Sequence, residues 1–334
     1  MVIDLSTVGL GRRPTDPVSP PAGWAGVHTS ARTMLKACRV VTEVESMARG
    51  LGLPPYELVR LRPLLLVLEA AVYDWDQQVE DEQHGAGPGS DRGVRPDHGA
   101  VILELVADIV ALDDGMRADI DGLRQLFRSE TRALQTVSEA RPEPAAAGVQ
   151  PRPADLRLAE RKNEELFAEV SRWRSSDLRL LLRVISTLAG WPGAQLVELL
   201  QPCLELMEIE DDLKTAVEDR RSGSYNSFWF LRSVRSAQAT QDYLDAVAAE
   251  RTEDLGRRLR QAPPEVFRRA FVMLCCPRSW SEQMVITQLS RLPRRVVERV
   301  VQHVLLPRLR ALFSTYWQRP EFQDGASGQA KPHG

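Results

Sequence analysis

Apolar residues recur in steps of three and four along most of this chain, and that periodicity constrains its fold more than any other feature. Between Pro55 and Glu82, Leu58, Leu61, Leu65, Leu68, Val72, Trp75 and Val79 fall on one stripe of an α-helix. The same period returns at about 101–139, 154–188, 193–221, 227–260, 265–274, 281–289 and 294–317. Alternation with a period of two, the mark of strands, is scarce. The chain therefore reads as all-α. Two stretches rich in turn residues, 84–99 and 141–153, read as long loops within one domain, because the helical signal is alike on either side of them.

Residues 1–25 carry Pro14, Pro17, Pro20 and Pro21 and read as a flexible arm; residues 319–334 read as a polar, flexible tail. What remains, 26–318, is roughly 290 residues in about ten helices, large for a simple bundle. A single helical domain around a central cavity suits that size better. The 43% apolar content is enough for a sizeable core. A net charge of −3 supplies no basic field for nucleic acid. Cys38, Cys203, Cys275 and Cys276 have no zinc-site spacing and read as buried thiols in a reducing cytoplasm. No signal-peptide pattern opens the chain, and no apolar run approaches the ~20 residues of a membrane span, so no stable membrane insertion is expected. A GxxxxGK phosphate loop, a histidine cluster and a nucleophile triad are all missing from the sequence.

The chemistry points to residues 206–226. On a helix, the face through Leu204 and Met207 continues to Asp211, Thr215 and Asp219, so it turns from apolar to carboxylate, hydroxyl and carboxylate. A helix lining a cavity changes character in this way, whereas a merely half-buried helix stays apolar on its core side. Three oxygen donors at i, i+4 and i+8 suit a hard divalent cation such as Mg2+. Arg220 and Arg221 stand beside them as counter-charge for an anion. The helix that begins near Pro55 repeats the pattern, because Val72 leads by fours to Asp76 and Glu80, with Asp81 adjacent. Acids at a helix C-terminus oppose its dipole, and tolerating several of them is an argument for a cation.

Asp211-Asp212-Leu213-x-Thr215-x-x-x-Asp219, followed by Gly223 and Asn226, resembles the second metal motif of class I terpene synthases in the isoprenoid synthase superfamily, (N/D)D(L/I/V)x(S/T)xxxE. The run from Leu206 to Asp212 is similar to bacterial class I isoprenoid-biosynthesis enzymes. The last ligand here is aspartate, and Glu218 stands where the family usually has a basic residue. The resemblance implies the isoprenoid synthase fold. It also implies that Asp211, Thr215 and Asp219 hold Mg2+, and that Asp76, Glu80 and Asp81 hold the rest of a set of three Mg2+ ions. The two acid-tipped helices would then face each other across an apolar hollow. It further implies an upstream arginine that grips the diphosphate, assigned to Arg179 in preference to Arg174, with Tyr225 and Asn226 against the substrate. The partner implied is a small-molecule isoprenyl diphosphate. Such proteins often form homodimers, though no segment here identifies an interface. The reaction implied is Mg2+-dependent ionisation of an allylic isoprenyl diphosphate, then cyclisation or deprotonation. Prenyl transfer, by chain elongation or head-to-head condensation, ranks second, because Thr215 stands where those enzymes carry aspartate. A non-catalytic helical relative is the alternative from another class.

Overall fold

The computed structural model describes residues 30–49, 51–53, 55–83, 97–140, 153–191, 193–275 and 279–323, and these are helical throughout, with no strand among them. The helices are α1 (Ala31–Arg49), α2 (Pro55–Gln83), α3 (His98–Ile109), α4 (Asp114–Ala140), α5 (Pro153–Arg174), α6 (Ser176–Leu188), α7 (Gly193–Ser222), α8 (Ser227–Arg232), α9 (Ala237–Gln261), α10 (Pro264–Leu274), α11 (Trp280–Ser290), α12 (Arg294–Val300) and α13 (Leu306–Arg310). A π-helical stretch, Val301–Leu305, joins the last two. The expected arm, most of both expected loops and the end of the expected tail lie outside the described residues.

Three of the long helical signals are divided by short breaks in the structure, two of them where a side chain caps the next helix. Asp113 accepts a hydrogen bond from the Met116 amide at 2.7 Å and starts α4 afresh after α3. Ser236 caps α9 through the Ala239 amide, which separates it from α8. Between α5 and α6 the break is the single residue Ser175.

The residues form two compact units, each assembled from three segments. The first holds 1–124, 176–197 and 268–290; the second holds 125–175, 198–267 and 291–334. In the first unit, α1 packs on α2. Val41, Val44 and Met47 are buried there, as are Leu58, Leu61, Leu65, Leu68 and Val72 of the predicted stripe. The stripe becomes half-buried at Trp75 and Val79. Also in this unit, the Asp119 carboxylate is shared by two buried arginines: Arg179 Nε reaches one oxygen at 2.8 Å and Arg183 Nε the other at 2.7 Å.

In the second unit, α5 packs on α8 and α9 on α13. Its aromatic core gathers Phe228, Phe313, Trp317 and Phe322. Phe322 is fully buried and its carbonyl accepts from the Gln241 amide at 2.7 Å. Ordered structure thus continues to residue 323, past the expected start of the tail.

Candidate functional site

The acidic half of α7 lies in the second unit and faces that unit's own α4, α5 and α8. In this half the buried positions are Ile209, Asp212, Leu213 and Ala216, one residue on from Asp211 and Thr215 of the predicted line, and Glu208 is half-buried. Asp212 is 1% exposed, whereas Asp211 faces outward. Burial of a carboxylate requires a partner, and Arg174, the last residue of α5, supplies it with N···O contacts of 2.5 Å to Asp212, 2.9 Å to Glu130 and 3.7 Å to Glu208. The guanidinium also lies 5.4 Å from the Tyr225 ring centroid. Burial opposes the Arg174 charge, but Asp212, Glu130 and Glu208 outweigh it and hold the group firmly protonated. One arginine does not compensate three acids. Burial, only partly offset by Arg174 and by the Ser227 amide at 2.9 Å, pushes Asp212 up to about 6.

The end of α7 shows why the Asp–Gly–Asn spacing folds as it does. Gly223 takes φ +77° and the Ser224 amide bonds back to the Asp219 carbonyl at 3.1 Å, a Schellman ending. The chain then reverses and Asn226 does three things. Its side-chain oxygen caps α8 at the Phe228 and Trp229 amides. Its amide group donates to the Asp212 carbonyl at 2.6 Å and to Asp219 Oδ2 at 2.8 Å. Thr215 Oγ1 reaches that same oxygen at 2.6 Å. Burial raises Asp219 above the usual carboxylate range, against these two hydrogen bonds. Outside the corner, Arg220 stacks on Trp229 at 4.2 Å from the centroid, and Arg221 is exposed.

Thr215, Asp219 and Asn226 are therefore brought together, with Arg220 on the same turn. Asp211 is one turn earlier and its carboxylate, with that of Glu210, faces Tyr316, whose hydroxyl donates to Glu210 at 3.0 Å. Tyr225 is buried, with its hydroxyl beside Ser227 and the Asp212 carboxylate. Arg179 belongs to the first unit, tied to Asp119 and to Ser176. Asp76, Glu80 and Asp81 belong there too, half-exposed on the last turns of α2, where Gln77 donates to Asp81 at 3.2 Å. Among the described residues, no three His, Cys, Asp or Glu side chains stand close enough to share a metal ion. A hollow of about 420 Å³ in the second unit is lined by Arg132, Thr136, Lys162, Glu165 and Glu169, a charged lining unsuited to an isoprenoid chain.

Sequence reasoning left out Asp212, Glu208 and Glu130 as a group centred on Arg174. The signal available was an acid at i+4 from another acid, opposite an arginine that ends a separate helix. No protein-family model matches the chain, and neither a curated protein nor a solved structure is significantly similar to it.

Proposed function

We propose that the chain is a class I terpene synthase that ionises an allylic isoprenyl diphosphate with Mg2+ and releases diphosphate after cyclisation or deprotonation. The observation that carries the reading is the convergence of Thr215 and Asn226 on one oxygen of Asp219 at the end of α7. Carboxylate and hydroxyl of the motif stand side by side as hard oxygen donors, the type Mg2+ takes, and the Asn226 amide group steadies the carboxylate. With both hydrogen bonds on Oδ2, the second oxygen of Asp219 is the one a cation would meet. Asp211, Thr215 and Asp219 would hold the ion; Asp76, Glu80 and Asp81 remain candidate Mg2+ ligands within the first unit. Bound Mg2+ stabilises the charge that grows on a departing diphosphate. Arg220 and Arg221 extend from the turn that carries Asp219, which favours them over Arg179 for gripping the leaving group. Arg179 is already committed to Asp119, and Arg174 to three acids. In this reading Asn226 holds Asp219 in place, and Tyr225 packs its ring against Arg174.

A non-catalytic helical protein is the second reading, and one observation favours it. Gly223 and Asn226 are fully accounted for by the corner they build, without any ligand.

The test incubates the pure chain with Mg2+ and geranyl, farnesyl or geranylgeranyl diphosphate, each with and without isopentenyl diphosphate. Hydrocarbon or alcohol from a single substrate is expected, with turnover lost in Asp211→Asn, Asp219→Asn and Asp76→Asn while helicity by circular dichroism stays intact. Longer diphosphates formed only with isopentenyl diphosphate would reassign the chain to prenyl transfer. An absence of diphosphate release under every condition would leave the non-catalytic reading.

A further inference from the structure

Residues 291–310 carry six arginines and a single acid, Glu298, in a chain whose net charge is −3. Glu298 is engaged by Arg294 at 2.7 Å, and Arg294 also donates to the Ala262 carbonyl at 2.9 Å. The remaining arginines, Arg291, Arg295, Arg299, Arg308 and Arg310, are exposed and have no carboxylate partner among the described residues. The positive charge of this segment is therefore concentrated and uncompensated.

The segment is also apolar on two sides. Val297, Val301 and Leu306 are buried, and Leu306 lies so close to α9 that a Cβ on Gly256 would meet its Cδ1 at 2.8 Å. That face belongs to the core of the second unit. On the outer side Val296, Val300 and Val304 are 42%, 37% and 40% exposed, in steps of four. A solvent-facing helix surface calls for polar residues there. Single exposed valines are ordinary, but a line of them is not. A row at i, i+4 and i+8 drifts round an α-helix. The π-helical stretch Val301–Leu305 uses more residues per turn, which swings Val304 back toward the line of Val296. Arg295 and Arg299 each precede a valine of the row, so a column of cations runs beside the apolar line.

We propose that this outer face of α12, the π stretch and α13 docks on the surface of an anionic lipid bilayer. The valines would enter the headgroup boundary, while the arginines keep their guanidinium groups at the lipid phosphates. The charge selects this occupant. A second copy would set the same cations against themselves, and a nucleic acid would use the arginines but leave the valine line unfilled. No helix among the described residues is long and apolar enough to cross a membrane, so the association is one of surface contact.

Flotation of the full chain with phosphatidylcholine vesicles, with and without phosphatidylglycerol, tests this. Binding to the phosphatidylglycerol vesicles at low salt is expected, with little to pure phosphatidylcholine. Arg295→Gln/Arg299→Gln should lower the partition coefficient roughly 30-fold. Val296→Asp/Val300→Asp should abolish binding while thermal unfolding stays as in the parent. Val59→Asp, at a 71% exposed valine of α2, should leave binding unchanged. The proposal fails if the parent chain ignores anionic vesicles. It also fails if the valine substitutions leave binding intact, which would mark a purely electrostatic polyanion contact. It fails too if their only effect is to dissolve a dimer seen by light scattering, because the face would then belong to a second copy.

Discussion

Arg174 is the side chain on which the buried polar part of the second unit depends. It satisfies Asp212, Glu130 and Glu208 at once, and removing it leaves three acids in a site that water does not reach well. Breaking a buried ion cluster from one side costs about 3–5 kcal/mol, because the surviving charges are uncompensated. Arg174→Gln should therefore lower the urea midpoint strongly at pH 7. The loss should shrink at pH 5. Asp212 in the folded chain sits at about 6, above its ordinary 3.8, so its neutral form favours folding: that contribution is complete below 3.8 and is lost as pH rises through about 6. Without Arg174 the folded-state value rises further, and protonation at pH 5 relieves most of the strain. An equal loss at both pH values would show that the cluster does not act through charge. The sequence drew attention to Asp211 on the neighbouring line, because a helix read alone favours the acid that continues an apolar row. What decides the phase is an arginine on another helix, and no local pattern carries that information.

The corner between α7 and α8 is an element whose residues declare themselves. Gly223 at φ +77° and Asn226 as both cap and clamp are the residue types such a reversal needs, and the sequence placed the end of the helix there correctly. Gly223→Ala should cost about 1 kcal/mol through the left-handed backbone alone. Asn226→Ala should cost more, about 2 kcal/mol, since it removes the α8 cap and takes a donor from the half-buried Asp219. Circular dichroism melts of the two variants check the ranking, and a larger loss from Gly223→Ala would contradict it. Other boundaries were hidden for a physical reason. The break at Ser175 has no glycine or proline, and the residues on both sides carry the same helical period, so the chain reads as continuous there. The reversal at 319–323 was read as tail because the stretch to 334 is polar and glycine-rich, yet one buried phenylalanine, Phe322, is enough to pin it. The first acidic motif shows the opposite balance. Its helix, α2, was legible from seven apolar positions, while the roles of Asp76, Glu80 and Asp81 rest on the pattern of acids at the helix end and on the resemblance.

At the scale of the whole chain, helicity was legible and the division into two units was not. Each unit is stitched from three segments, and a division of that kind is set by contacts between distant residues, which periodicity does not record. Each unit also buries an acid that its surroundings do not fully compensate. In the second unit it is Asp212. In the first it is Glu69, in the middle of α2, fully buried with neither carboxylate oxygen hydrogen-bonded among the described residues. Burial raises Glu69 well above its ordinary 4.5, and the nearby Asp177 carboxylate raises it further. A raised acid stabilises the fold below its ordinary value, and that stability is lost as pH climbs through the folded-state value. Both units are then expected to melt at higher temperature at pH 5 than at pH 8. Glu69→Leu separates their contributions. The leucine fills comparable space without a polar group to desolvate, so the first unit should gain stability, and gain more at pH 8, where the parent carries the cost of ionising or protonating Glu69, than at pH 5, where the acid is already neutral. Calorimetry at the two pH values reads this directly. A loss of stability at pH 8, or a gain that ignores pH, would mean that the Glu69 carboxylate has a cationic or hydrogen-bonding partner in the folded chain and is retained for it.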